Sequence, residues 1–132
     1  VLLIADEVQT GLGRTGKLTC CDWDGVKPDL MIFGKALSGG VMPVSCVLGR
    51  DDVVLSIQRG QHGSTFGGNP LACAVARESV QVILDEDLAG RAERAGKVFR
   101  DAFSKHVSDD GIVAGVRGRG LLNAVLIRPG EK

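Results

Sequence analysis

Apolar and polar positions fall into short blocks along the chain. Val1-Leu2-Leu3-Ile4-Ala5 is an unbroken apolar run that stops at Asp6-Glu7. Such runs read as strands buried on both faces. Leu30-Met31-Ile32-Phe33 is a second run, followed at once by Gly34-Lys35, and Val44 to Leu48 is a third. Between the first two lies Thr10-Gly11-Leu12-Gly13-Arg14-Thr15-Gly16, a glycine-punctuated loop. Lys17 to Gly25 then reads as a short helix ended by its glycine. Leu37 to Pro43 reads as loop, and Asp51 to Ile57 as a brief helix.

The second half is dominated by two longer helices. After the glycine-rich stretch 58–68, Asn69-Pro70 opens a helix that runs to about Asp85. Asparagine caps, and proline at the first helical position loses no needed hydrogen bond. Another helix starts near Asp87, with Leu88, Ala92, Ala95, Phe99 and Phe103 at helical spacing, and fades at Ser108-Asp109-Asp110-Gly111. Two strands, Val113 to Val116 and Leu122 to Ile127, flank Arg117-Gly118-Arg119-Gly120, which reads as a turn. Strands alternating with helices predict an α/β fold with a largely parallel sheet. Trp23, Phe33, Phe99 and Phe103 read as core. A shift in composition near residue 108 places a domain boundary there.

Composition narrows the classes. Hydrophobic residues make up 44% of the chain, which excludes intrinsic disorder. Sixteen basic and sixteen acidic side chains cancel, so nothing in the charge points to nucleic acid or an anionic membrane as partner. No apolar run approaches the roughly 20 residues of a membrane span. The 19 glycines in 132 residues are about twice the usual share of ~7%, so many backbone positions turn sharply or pack closely. Cys20, Cys21, Cys46 and Cys73 show neither a disulfide framework nor zinc-ligand spacing. They read as reduced thiols of a cytosol-like or matrix-like compartment. A buried strand at the first residue, with no initiating Met, reads as an internal piece of a longer polypeptide.

Ligands of open α/β sheets collect at the carboxyl ends of the strands. Asp6 and Lys35 sit at two such ends. A lysine at the end of a buried strand is partly desolvated, which favours a neutral, nucleophilic amine of the kind Schiff-base chemistry needs. A nearby aspartate suits a pyridinium nitrogen, keeping a pyridoxal ring an electron sink. Gly60-Gln61-His62-Gly63-Ser64-Thr65-Phe66-Gly67-Gly68 offers backbone amides and hydroxyls to a phosphate. His62 reads as a structural hydrogen-bonding residue ahead of a proton shuttle. The lone Arg117-Gly118-Arg119-Gly120 reads as a turn ahead of a nucleic-acid element.

Three blocks in order resemble the class III pyridoxal-phosphate aminotransferases: Asp6 to Gly16, Gly34-Lys35-Ala36-Leu37-Ser38-Gly39-Gly40, and His62 to Pro70. Softer cues at Pro43-Val44-Ser45, Cys21-Asp22-Trp23-Asp24 and Arg117 to Ala124 resemble the ornithine branch of that family, ahead of its acetylornithine and 4-aminobutyrate branches. The resemblance implies that residues 1–107 are part of the large domain of a fold-type I pyridoxal-phosphate transferase. Residues 108–132 would begin its α+β C-terminal small domain. It implies Lys35 as the Schiff-base lysine and later the general acid/base. Asp6 would pair with the pyridinium nitrogen, Gln9 with the phenolic oxygen, and Val8 would pack on one ring face. Ser64 and Thr65 would reach the cofactor phosphate of a neighbouring subunit, so a homodimer would be needed. The substrates would be an amino acid and a 2-oxo acid. Glu7 and Arg14 receive no cofactor role and read as a structural salt bridge or loop hydrogen bond. The resemblance also places a phosphate-cradling segment, a ring-stacking aromatic and substrate-binding residues outside this sequence. The 132 residues alone are then expected to lack activity; a reading of different class is a non-catalytic interaction module.

Overall fold

A computed structural model describes residues 1–130; Glu131 and Lys132, at the end of the expected small-domain segment, lie outside the described residues. Strand β1 (Ile4–Asp6) is followed by a 3-10 turn at Cys20–Trp23 and strand β2 (Leu30–Phe33). A second 3-10 turn, Lys35–Ser38, leads to strand β3 (Cys46–Gly49) and the short helix α1 (Asp51–Val54). Helices α2 (Pro70–Asp85) and α3 (Leu88–Ser104) come next, then strands β4 (Val113–Arg119) and β5 (Leu122–Ile127).

The first sheet has the order β1-β2-β3. β1 pairs with β2 in parallel, Ile4 opposite Leu30 and Asp6 opposite Ile32. β2 pairs with β3 antiparallel, Phe33 opposite Cys46. β4 and β5 form a separate antiparallel hairpin. The α/β class stands, with one parallel and one antiparallel pairing in the described part of the first sheet.

Several elements differ from the sequence expectation for physical reasons. The first strand starts at Ile4, and Val1 to Ile4 are exposed rather than buried on both faces. Among the described residues nothing covers them, and Val47 and Leu48 are exposed likewise. The stretch 17–25 makes one 3-10 turn, not a helix. The Asp22 carboxylate folds back to accept from the Thr19 N–H (2.8 Å). Gly25, at φ +63°, turns the chain away. The expected loop after Lys35 is a 3-10 turn closed by the left-handed Gly39. β4 runs through Arg117 and Gly118 to Arg119, so the expected four-residue turn shrinks to Gly120-Leu121. Phe99 and Phe103 stack on each other with centroids 4.6 Å apart but are over a third exposed, whereas Phe33 is core.

Both long helices begin as their caps dictate. Asn69 Oδ1 accepts from the Ala72 N–H (2.9 Å), with Pro70 at the first helical position. Asp87 Oδ1 accepts from the Gly90 N–H (3.1 Å).

The core is small and unusual in content. Its apolar members are Phe33, Leu37, Ala72, Ile83, Ala92 and Val113, and its polar members are Glu7, Thr15 and Thr19. Much of the glycine excess is spent on close packing there. A Cβ on Gly11 would lie 2.8 Å from the Glu7 carbonyl and 3.0 Å from the Phe33 ring. A Cβ on Gly16 would meet Glu93 at 2.8 Å, and one on Gly96 of α3 would lie 1.7 Å from the Gly120 carbonyl oxygen. The glycines of the 10–16 loop therefore let it seat closely on the protein.

The Gly96 contact is backbone against backbone, so neither side can rotate away. In the complete protein, Gly96→Ala should destabilise by about 1–3 kcal/mol, although alanine is the better helix former by about 1 kcal/mol. Gly115→Ala, where a Cβ would lie in ordinary contact 3.5 Å from Leu126, should cost much less. Denaturant melts of both variants check this; equal stability of Gly96→Ala and wild type would refute the packing.

Candidate active site

The parallel register puts the carboxyl ends of β1 and β2 side by side. Asp6 ends β1, and Lys35 follows two residues after Phe33 closes β2's pairing with β3. Lys35 holds a left-handed backbone, φ +42°. That costs a non-glycine residue about 1 kcal/mol, and such outliers persist where their surroundings over-determine them. Here the Gly34 carbonyl accepts from the Leu37 N–H (3.0 Å) and buried Leu37 anchors the turn.

Lys35 Nζ donates to Gln9 Oε1 at 2.7 Å. Asp6 Oδ1 accepts from the Val8 N–H (3.1 Å), which bends the chain out of β1 toward Gln9. The Val8 side chain packs on Gly34, where an added Cβ would sit 3.5 Å from Cγ1. Asp6, Val8, Gln9 and Lys35 thus occupy one end of the sheet. Ser64 and Thr65 do not join them. Both are exposed, Ser64 Oγ accepts from the Gly67 N–H (2.8 Å), and among the described residues no hydrogen bond links either to Lys35 or Gln9. Lys35 is also exposed, so the burial expected to activate its amine is not present in this chain.

Gln9 and Lys35 open onto a cleft of about 990 Å³. Its far wall is apolar, built from Val75, Val82 and Ile83 of α2, Leu88 of α3 and Leu121 of the hairpin turn. Arg14 and Glu78 also border it.

Two networks hold this edge in place. In the first, the buried Glu7 carboxylate accepts from Thr10 Oγ (2.5 Å) and from the Cys21 N–H (3.0 Å). Burial pushes the Glu7 carboxyl up. The hydrogen bonds from Thr10 and the Cys20–Cys21 backbone outweigh it and leave the group ionising below its ordinary range. Burial, then the neighbouring Glu7 carboxylate, pushes the Cys21 thiol up. The second network left little trace in the sequence. Arg100 donates to the Gly120 carbonyl (3.1 Å), to Asn123 Oδ1 (3.0 Å) and to Glu93 Oε1 (3.0 Å). Glu93 Oε2 accepts from the Gly120 N–H (2.9 Å), and the Leu121 N–H donates to the Arg14 carbonyl (2.9 Å). The only available signal was Glu93 and Arg100 standing two turns apart on one helical face. Trp23 closes this side: its Nε1 donates to the Thr15 carbonyl (2.9 Å), and Lys17 lies over its ring.

Residues 1–132 match the family described as Aminotransferase class-III. This chain belongs to the class-III aminotransferases. Within the family it is 55% identical over 127 residues to the ornithine aminotransferase of Emericella nidulans, covering 96% of this chain and 28% of that protein. It is 52% identical to the mitochondrial ornithine aminotransferase of Rattus norvegicus, covering 97% and 29%. The chain therefore spans less than a third of these relatives. Among solved structures, ornithine aminotransferase from Toxoplasma gondii superposes with a TM-score of 0.92 at 55% identity, covering 97% of this chain and 30% of that one. That structure is described as having partial occupancy of PLP at the active site. An acetylornithine aminotransferase from Elizabethkingia anophelis also reaches 0.92 at 55% identity, covering 98% and 32%.

The Glu7 shift has a stability consequence. A carboxyl ionising more readily folded than unfolded stabilises the fold above its unfolded value of about 4.3. That contribution is lost as pH falls through the lower folded value. Stability of the complete class-III protein should therefore drop as acid is added below about pH 4.3, and Glu7→Gln should flatten that drop. Melting temperature against pH for the two proteins measures it; parallel profiles would contradict the assignment.

Proposed function

We propose that this chain is the central part of an ornithine aminotransferase, which moves the δ-amino group of L-ornithine to 2-oxoglutarate and yields glutamate 5-semialdehyde and glutamate. The observation that carries the reaction class is Lys35 Nζ held 2.7 Å from Gln9 Oε1 at the carboxyl ends of two paired strands. The choice of ornithine rests on the relatives from Emericella nidulans and Rattus norvegicus, which bear that name. Residues 1–107 are read as large domain and 108–132 as the start of the small domain, with α3 and the hairpin meeting at Arg100.

The side chains suit pyridoxal 5'-phosphate at its ring end. Lys35 offers an amine to its aldehyde, Asp6 a carboxylate to its ring nitrogen, Gln9 an amide to its phenolic oxygen and Val8 an apolar face. When bound, the cofactor supplies a carbonyl that captures amines and a ring that withdraws electrons. Asp6 would hold a proton on the ring nitrogen. Gln9 Oε1 aims the Lys35 amine and leaves its own Nε2 free to donate. Lys35 Nζ, once free, would move a proton at the carbon bearing the migrating amino group. Ser64 and Thr65 stand apart on an exposed loop, which supports their reaching the phosphate of a second subunit in a homodimer. The four free cysteines, and relatives named mitochondrial, support a reducing compartment, the matrix or the cytosol.

The equally similar acetylornithine aminotransferase motivates a second reading, an N-acetylated substrate. In the complete enzyme, Lys35→Ala should lower kcat about 10³-fold or more. The wild type should show kcat/KM for ornithine at least about tenfold above that for N-acetylornithine, with 2-oxoglutarate as acceptor. Coupled assay of the semialdehyde and of glutamate reads both. The reverse preference would establish the second reading, and an active Lys35→Ala would refute both.

A further inference from the structure

Glu7 stands between Asp6 and Gln9 in sequence but faces the interior, as strand alternation requires. It is only 3% exposed, and no cation pairs with it among the described residues. A buried carboxylate is costly unless hydrogen bonds satisfy it. Both oxygens are satisfied here, and by groups of one device. Oε2 takes the Thr10 hydroxyl and Oε1 the N–H of Cys21, at the 3-10 turn. The backbone of the same residue continues the pattern: its N–H donates to the Ile32 carbonyl (2.9 Å) and its carbonyl accepts from the Gly11 N–H (2.9 Å).

Gln9 is thereby fixed from both sides. Upstream, Glu7 is tied to β2, the strand that delivers Lys35. Downstream, Thr10 and Gly11 are tied back to Glu7, and Gly11 lies on the Phe33 ring, two residues before Lys35. Slack at Glu7 would move Gln9 relative to Lys35 without touching either side chain.

We propose that Glu7 is a positioning residue of the amine-transfer site: its buried, hydrogen-bonded carboxylate holds the 7–11 turn so that Gln9 meets Lys35. The inference rests on the pyridoxal-phosphate reading above and acts through Gln9, so it predicts coupling rather than a simple loss.

The test is a double-mutant cycle in the complete enzyme, read by pyridoxal-phosphate affinity of the apoenzyme and by the pH midpoint of the lysine-bound cofactor's visible absorbance. Glu7→Ala should weaken cofactor affinity about tenfold or more and shift the midpoint. Glu7→Gln, which keeps one acceptor and folds more readily, should fall between. In a Gln9→Ala background both effects should largely vanish. Equal Glu7 effects with and without Gln9 would mark a general structural residue and overturn the proposal. So would an unmoved midpoint in Glu7→Gln. Failure of the underlying reading looks different: the visible band would then survive Lys35→Ala.

Discussion

The site depends first on the parallel pairing of β1 with β2. Parallel strands end on the same side, so one register, Asp6 opposite Ile32, delivers a carboxylate and an amine to a single edge. An antiparallel partner would have sent them to opposite ends. The pairing is short. It is tied at both ends: the Asp29 side chain accepts from the Leu3 N–H (2.8 Å) and from Arg50 (2.7 Å), and the Glu7 N–H donates to the Ile32 carbonyl (2.9 Å) at the other.

Around that edge, the most buried residues of this chain include a glycine- and threonine-containing loop. Gly11, Gly13, Thr15 and Thr19 are buried, while long apolar side chains on β1, β3 and both helices stay exposed. The Gly120 turn and the Arg100–Glu93 pair press on the same loop from the other side. Loop, helix and hairpin therefore form one mechanical unit behind Gln9 and Lys35. A half-buried ion pair alone contributes little; its value here is that it also satisfies the backbone of a turn that no side chain could enter.

Much of this was legible in the sequence where local chemistry decides. The helix starting at Pro70 follows from its cap, and its end at Asp85 and the second helix follow from apolar spacing. The abrupt stops at Asp6 and Lys35 located the sheet edge because an apolar run followed by a charge has few other meanings. Burial was not legible. Val1 to Ile4 and the Phe99–Phe103 pair look like core by composition, but nothing among the described residues covers them, in a chain that spans less than a third of its relatives. The amine of Lys35 was expected to be desolvated for the same reason and is exposed. Glu7 was readable only as a loop or ion-pair residue, since hydrogen bonds to Cys21, fourteen residues on, leave no periodic trace. The glycines were readable as crowded positions but not as crowded by what.

Lys35 is the residue proposed to carry the cofactor. Borohydride reduction of the complete holoenzyme, followed by proteolysis and peptide mapping, tests it directly. Reduction should leave one stable pyridoxyl adduct, on the peptide containing Phe33-Gly34-Lys35-Ala36. An adduct on Lys17, Lys27 or any other lysine, with Lys35 unmodified, would contradict it.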